Sequence, residues 1–310
     1  RTILMAAETE TQSNPKEPTV LHNVQYGKAG DYVLDMELII PEPKPTTPTP
    51  VVMFVHGGGW QGGTSQDGMH FAMEAAKDGY IACSINYRLS QVAPFPAQIQ
   101  DCKCAVRFLR ANADKYMINP DKIGVWGASA GGHLVAMLGV TEGIEEFEGD
   151  SGWNDTSSRV QAVCDWFGPT DLVEWIKIEQ LFGNDKELRD LLGFYLPDEM
   201  IQWAQTLDKD AGITRLLGAP TLEVPDKAAW ACPMIYVDKS ENTPPFLIMH
   251  GDQDPWVPYQ QSLKFADALD KKGVDVTLRM LLNSGHGTGH FATAWADDVK
   301  AFFDRTLLGK

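Results

Sequence analysis

The chain has 310 residues, 44% of them hydrophobic, and a formal net charge of −16. That content can fill one large core, and α/β enzymes commonly exceed 250 residues as one unit. The acidic balance argues against nucleic acid or an anionic membrane surface as partner, since both repel it, and no stretch of the sequence nears the roughly 18 apolar residues of a membrane-spanning helix.

Residues 1–20 read as a flexible, polar, proline-containing lead-in. The run Arg1 to Ala7 fits the tail of a processed secretory leader but is too short to show the regions of one. Secretion or periplasmic export and a cytoplasmic location therefore both stay open. Residues 21–26 and 32–40 read as strands, and the repeated prolines of 41–50 make a stiff surface connector because proline removes ladder donors. The apolar run 51–55 is a strand that ends in His56-Gly57-Gly58-Gly59-Trp60. Further strands are expected at 81–86, 122–126, 160–167, 246–250 and 274–281, and helices at 97–115, 132–138, 258–271 and 291–308. Such alternation implies a mainly parallel sheet with helices on both faces. The stretch 172–230 breaks the rhythm with aromatic-rich, helix-like sequence, and is expected to form a cap above the carboxyl ends of the strands.

The chemistry concentrates where strands end. Gly127-Ala128-Ser129-Ala130-Gly131 lies between a strand and a helix, the context that makes a G-x-S-x-G match a nucleophile elbow. Ser129 is the candidate nucleophile, and the flanking glycines are required because a Cβ there would collide with the neighbouring strand and helix. The glycine run after residue 55 can turn N–H groups toward a developing oxyanion, so Gly58 and Gly59 are candidate donors together with Ala130.

The remaining partners follow by elimination, given the chain order serine, acid, histidine. Of seven histidines, three precede Ser129, His133 sits on the elbow helix and His250 ends a strand, which leaves His286 and His290. His286, flanked by glycines, is preferred over His290, which begins the final helix. In the acidic loop Asp254 is preferred over Asp252, which reads as the turn-forming aspartate.

With the motifs Asn86-Tyr87-Arg88-Leu89, Phe167-Gly168-Pro169-Thr170-Asp171 and Gly251-Asp252-Gln253-Asp254 added, the chain resembles an α/β-hydrolase-fold carboxylesterase of the bacterial feruloyl-esterase-like and acetyl-esterase-like branch. The resemblance implies a Ser129, Asp254, His286 triad, a single α/β-hydrolase catalytic domain over 21–310 with the cap inserted at about 172–230, and no metal or organic cofactor. It also implies a serine esterase that works through an acyl-enzyme on short-chain or aromatic acyl esters, including acetyl or feruloyl groups on plant polysaccharide fragments. The partner is then a small-molecule or oligosaccharide ester, and the oligomeric state stays open.

Trp60 and Trp256 follow the two loops of the site and are expected to border its mouth as substrate-binding surfaces. An amidase of the kynurenine-formamidase type shares the same triad and loop, and a general short-chain carboxylesterase needs no carbohydrate. A non-catalytic binding protein is disfavoured, since serine, aspartate and histidine are all present. Five cysteines in core-like patterns read as buried free thiols. The acidic run 142–150 lacks the regular spacing of a calcium loop and reads as a solvated face.

Overall fold

The computed structural model describes residues 17–173, 212–221 and 223–310. The first two strands, β1 (Thr19–Ala29) and β2 (Tyr32–Ile40), form an antiparallel hairpin. β3 (Thr49–Val55) is followed by α1 (Met69–Lys77), β4 (Ile81–Ile85), α2 (Ala97–Ala111) and a short α3 (Ala113–Tyr116). β5 (Ile118–Ala128) leads into α4 (Ala130–Val140), α5 (Glu145–Glu148) and β6 (Ala162–Trp166). Beyond residue 211 come α6 (Gly212–Leu217), α7 (Pro225–Trp230), β7 (Phe246–Gly251), α8 (Gln260–Lys271), β8 (Val276–Leu281) and α9 (Lys300–Phe303).

The strands form one eight-stranded sheet in the order β1-β2-β4-β3-β5-β6-β7-β8, antiparallel at β1-β2 and β2-β4 and parallel from β4 onward. Parallel interior strands are covered on both faces and so read as continuous apolar runs. β4 and β6 are buried along their whole length. Alternate residues of β3 divide between two cores. Val51, Met53 and Val55 belong to the core that α2, α4 and α8 line, whereas Val52 and Phe54 belong to the one lined by α1 and the C-terminal segment. Fully burying each such side chain contributes about 1.5–3 kcal/mol.

α1 has no counterpart among the elements expected from the sequence, although Ala72, Ala75 and Ala76 recur at helical spacing on its buried side. The helix expected over 97–115 stops at Asn112, whose side-chain amide donates to the Phe108 carbonyl at 2.9 Å and competes with the helical ladder. The final helix expected over 291–308 is instead a 3-10 turn at Gly289–Ala292, a π turn at Trp295–Val299, α9 and a second π turn at Asp304–Leu308. These changes of winding turn Trp295, Val299, Phe302, Phe303 and Leu307 all onto the second core. Most of the stretch expected to form a cap, 174–211 and residue 222, lies outside the described residues. Its return packs Ile213, Leu216, Leu217 and Ala228 into the first core.

Candidate active site

At the carboxyl end of β5 the chain reverses through Ser129, which has φ 57 and ψ −120, a conformation that costs a non-glycine residue about 1–3 kcal/mol. Two hydrogen bonds hold it there: Ser129 N–H donates to the Trp166 carbonyl at 2.9 Å, and His133 N–H donates to the Ser129 carbonyl at 3.0 Å. A Cβ on Gly127 would lie 2.3 Å from the Gly131 carbonyl oxygen, and one on Gly131 would lie 2.0 Å from that of Val55. The two glycines thus let β5, β3 and α4 converge beneath the serine. Ser129 caps α4 and is partly exposed, while Ala130 offers the first, unpaired N–H of the helix at the positive end of its dipole.

Opposite Ser129 runs the glycine loop that leaves β3. Gly58, Gly59 and Trp60 all have positive φ, at 107, 59 and 59. The Gly58 carbonyl turns inward to accept from Gln61 N–H at 3.1 Å and Gly62 N–H at 3.0 Å, and the ideal Cβ of Gly57 lies 3.2 Å from that of Ser129. His56 steadies the loop: its Nδ1 donates to the Gly57 carbonyl at 2.7 Å, its ring stacks on Tyr87 at 4.4 Å, and burial lowers its pKa.

Asp254 and His286 come from the loops after β7 and β8 and meet at 2.7 Å between Oδ2 and Nδ1. The Asp254 carboxylate is saturated with donors, its Oδ1 accepting from the N–H groups of Trp256 at 2.8 Å and Val257 at 3.0 Å. His250 Nε2 stands 3.3 Å from Oδ2 on the other side. Burial opposes ionisation of Asp254, but His250 and His286 beside Oδ2 and the Val257 N–H on Oδ1 together hold its carboxyl well below the usual range. Asp252 accepts from Ser284 N–H at 3.3 Å, a loop-forming role, and His290 is exposed with its backbone N–H on Ser284 Oγ.

Two residues beside the Asp254–His286 pair have no role assigned from the sequence. Phe167, at φ 44 just past β6, lays its ring 4.3 Å from the His286 imidazole. His250 donates from Nε2 to the Val257 carbonyl at 2.9 Å, so its Nδ1 accepts from Ser262 Oγ at 2.7 Å. Phe167 opens a motif quoted above and His250 directly precedes another, but contact with His286 or Asp254 could not be read from position alone.

The two tryptophans part company. Trp256 is 49% exposed beside Asp254, whereas Trp60 is 3% exposed and donates its indole N–H to His133 Nδ1 at 3.2 Å. Trp60 therefore does not present the open surface expected of it, because its left-handed backbone turns the indole into the first core. All five cysteines are buried and unpaired. In the acidic run Glu148 is committed to Lys103, Arg107 and Ser158. Among the described residues, no group of three or more His, Cys, Asp or Glu is placed to hold a metal ion, and no helix is long and apolar enough to cross a membrane.

The sequence profile of the BD-FAE family matches residues 36–269. A solved structure described as a truncated form of a carbohydrate esterase from gut microbiota is 30% identical and superposes with a TM-score of 0.76, covering 96% of this chain and 99% of that one. A bifunctional GH43-CE protein of Bacteroides eggerthii is 28% identical with a TM-score of 0.74, over 93% of this chain and 38% of its own. Esterase LipC of Mycobacterium tuberculosis is 31% identical over 227 residues, 73% of this chain and 49% of LipC. The chain spans about half the length of the curated relatives it matches.

Proposed function

Because the chain belongs to the BD-FAE family and has the α/β-hydrolase fold, we propose that it is a serine carboxylic ester hydrolase with Ser129 as nucleophile, His286 as base and Asp254 as the acid that orients the base. The observation that carries the reading is Ser129 in its strained turn at the end of β5, with the Asp254–His286 pair delivered from β7 and β8 at the same edge of the sheet. Asp254 accepts the Nδ1 proton of His286 and so leaves Nε2 as the lone pair that removes the serine proton. Ser129 Oγ adds to the ester carbonyl, and the charge that develops on oxygen is met by the N–H groups of Gly58, Gly59 and Ala130. His286 returns the proton to the departing alcohol. Water, activated by the same imidazole, then releases the acid from the acyl-enzyme.

The substrate class that fits best is a short or aromatic acyl group, acetyl or feruloyl, esterified to a carbohydrate. The likeness to a carbohydrate esterase over nearly its whole length supports this. Trp256, exposed beside Asp254, offers a flat surface on which a sugar or aromatic ring would stack. A general short-chain carboxylesterase is the second reading, favoured by the likeness to LipC.

The test is covalent. A fluorophosphonate should modify Ser129, and Asp254→Asn should keep the fold while lowering kcat about a thousandfold or more, since the imidazole then adopts the wrong tautomer. Labelling at another residue, or an Asp254→Asn enzyme of ordinary activity, would refute the assignment.

A further inference from the structure

His133 lies on the elbow helix and touches both Trp60 of the glycine loop and the Ala231 backbone just past the 172–230 stretch. It lies one turn beyond Ser129 and is fully buried. Its Nδ1 stands 3.2 Å from Trp60 Nε1, and an indole N–H can only donate, so Nδ1 carries a lone pair. Its Nε2 stands 2.7 Å from the Ala231 carbonyl oxygen, which can only accept, so Nε2 carries the proton. The two partners together admit only the neutral Nε2–H tautomer. An imidazolium would set an N–H against the indole N–H.

We propose that His133 is a positioning residue that fixes the spacing between the two halves of the oxyanion site, joining the helix that supplies Ala130 N–H to the loop that supplies those of Gly58 and Gly59. Three successive positive-φ residues, Gly58, Gly59 and Trp60, give this loop no strand or helix ladder of its own. Beyond the turn closed on the Gly58 carbonyl, contacts from outside hold it. Ser90 N–H takes the Trp60 carbonyl at 2.7 Å, and the Trp60 indole, edge-on to the imidazole at 5.2 Å, ties the loop to α4. The far side of His133 ends on Ala231, next to Cys232, whose sulfur accepts from Leu172 N–H at 3.1 Å. A preorganised donor set is what distinguishes such a site from water, and displacing one donor costs about 10²–10³ in kcat.

This inference rests on the esterase reading, and its experiment separates the two. Steady-state kinetics on p-nitrophenyl acetate should show kcat falling about tenfold or more in His133→Leu and in Trp60→Phe, with KM within about twofold, because the lost contact acts through the transition state. His133→Gln, which offers Trp60 an amide oxygen and Ala231 an amide N–H, should recover most of the loss. The double variant Trp60→Phe/His133→Leu should be no worse than either single one. A Gln variant as impaired as Leu, a loss confined to KM, or a Trp60→Phe enzyme with wild-type kcat would overturn the proposal. Should His133→Leu fail to fold, His133→Gln and Trp60→Phe decide the matter. The nitrogen-15 shifts of the His133 ring at pH 7 provide a readout that does not depend on turnover. An Nε2–H imidazole is expected, and an Nδ1–H or doubly protonated ring would overturn the proposal. Failure of the esterase reading is seen separately, as a wild-type protein that does not label at Ser129.

Discussion

His133 and Asp165 show how two buried titratable residues around the elbow pull stability in opposite directions with pH. Burial lowers the His133 pKa to about 4, despite the Ala231 carbonyl, against roughly 6.5 in an unfolded chain. As pH falls through that window the unfolded chain binds a proton that the native imidazole refuses, so native stability is lost by up to about 3 kcal/mol. Asp165 behaves in reverse. Its pKa is raised to about 6 by burial, against the Gly168 N–H and the nearby His250, so the native state binds the extra proton between about 6 and 4 and gains stability. The contributions of these two groups oppose each other across this range, so His133→Gln, lacking the histidine, should become more stable relative to wild type as pH drops from 7 to 4.5. Urea midpoints at both values check this, and a difference independent of pH would count against it. The roles of these two groups were not legible in the sequence, because neither burial nor a partner 98 residues away can be read from a helix position such as His133.

At the scale of the element, the turn from β5 into α4 is set by close approach rather than by propensity. Gly131→Ala would place a methyl 2.0 Å from the Val55 carbonyl oxygen, backbone that cannot move without disturbing β3. It should destabilise the fold by at least about 3 kcal/mol and abolish ester turnover. Gly143→Ala, at φ 73 but with nothing within 4 Å, should cost only about 1 kcal/mol of conformational strain and leave turnover alone. Equal losses in chemical denaturation would show that the close approach to the Val55 carbonyl does not set the cost of a side chain at Gly131. Here sequence reading went far, since strand, glycine, serine, glycine and helix follow one another locally. It fell short where the cause was tertiary, as in α1, whose alanines form only a thin apolar stripe, and in the C-terminal segment, which rewinds to seat Trp295 and Phe303.

Across the whole molecule, the segment returning from residue 211 sits directly on the glycine loop: an ideal Cβ on Gly212 would lie 2.8 Å from the Gly59 carbonyl oxygen. A wall on this side of the loop is expected to limit the acyl group, since each added methylene gains about 0.8 kcal/mol only while the acyl chain still fits. p-Nitrophenyl acetate and butyrate should be turned over far faster than octanoate, with release of acetate or ferulate from decorated xylan fragments as the carbohydrate counterpart. Dominant octanoate activity would refute a bounded acyl site, and short-ester activity with no action on any acylated sugar would leave the general carboxylesterase reading. The net charge of −16 suits neutral esters better than anionic ones.

What the sequence by itself determined is whatever is encoded by near neighbours along the chain. The parallel architecture follows from the alternation of apolar runs, and the elbow and glycine loop follow from residues a few positions apart, because backbone sterics act locally. Only the tertiary structure decided that Asp254 and not Asp252 reaches His286, that Phe167 and His250 flank that pair, and that Trp60 is buried against His133 rather than set at the rim. Those outcomes depend on which loops the order of strands β5, β6, β7 and β8 carries to one edge of the sheet, and on which faces the two cores bury, and neither is written in the spacing of any one segment.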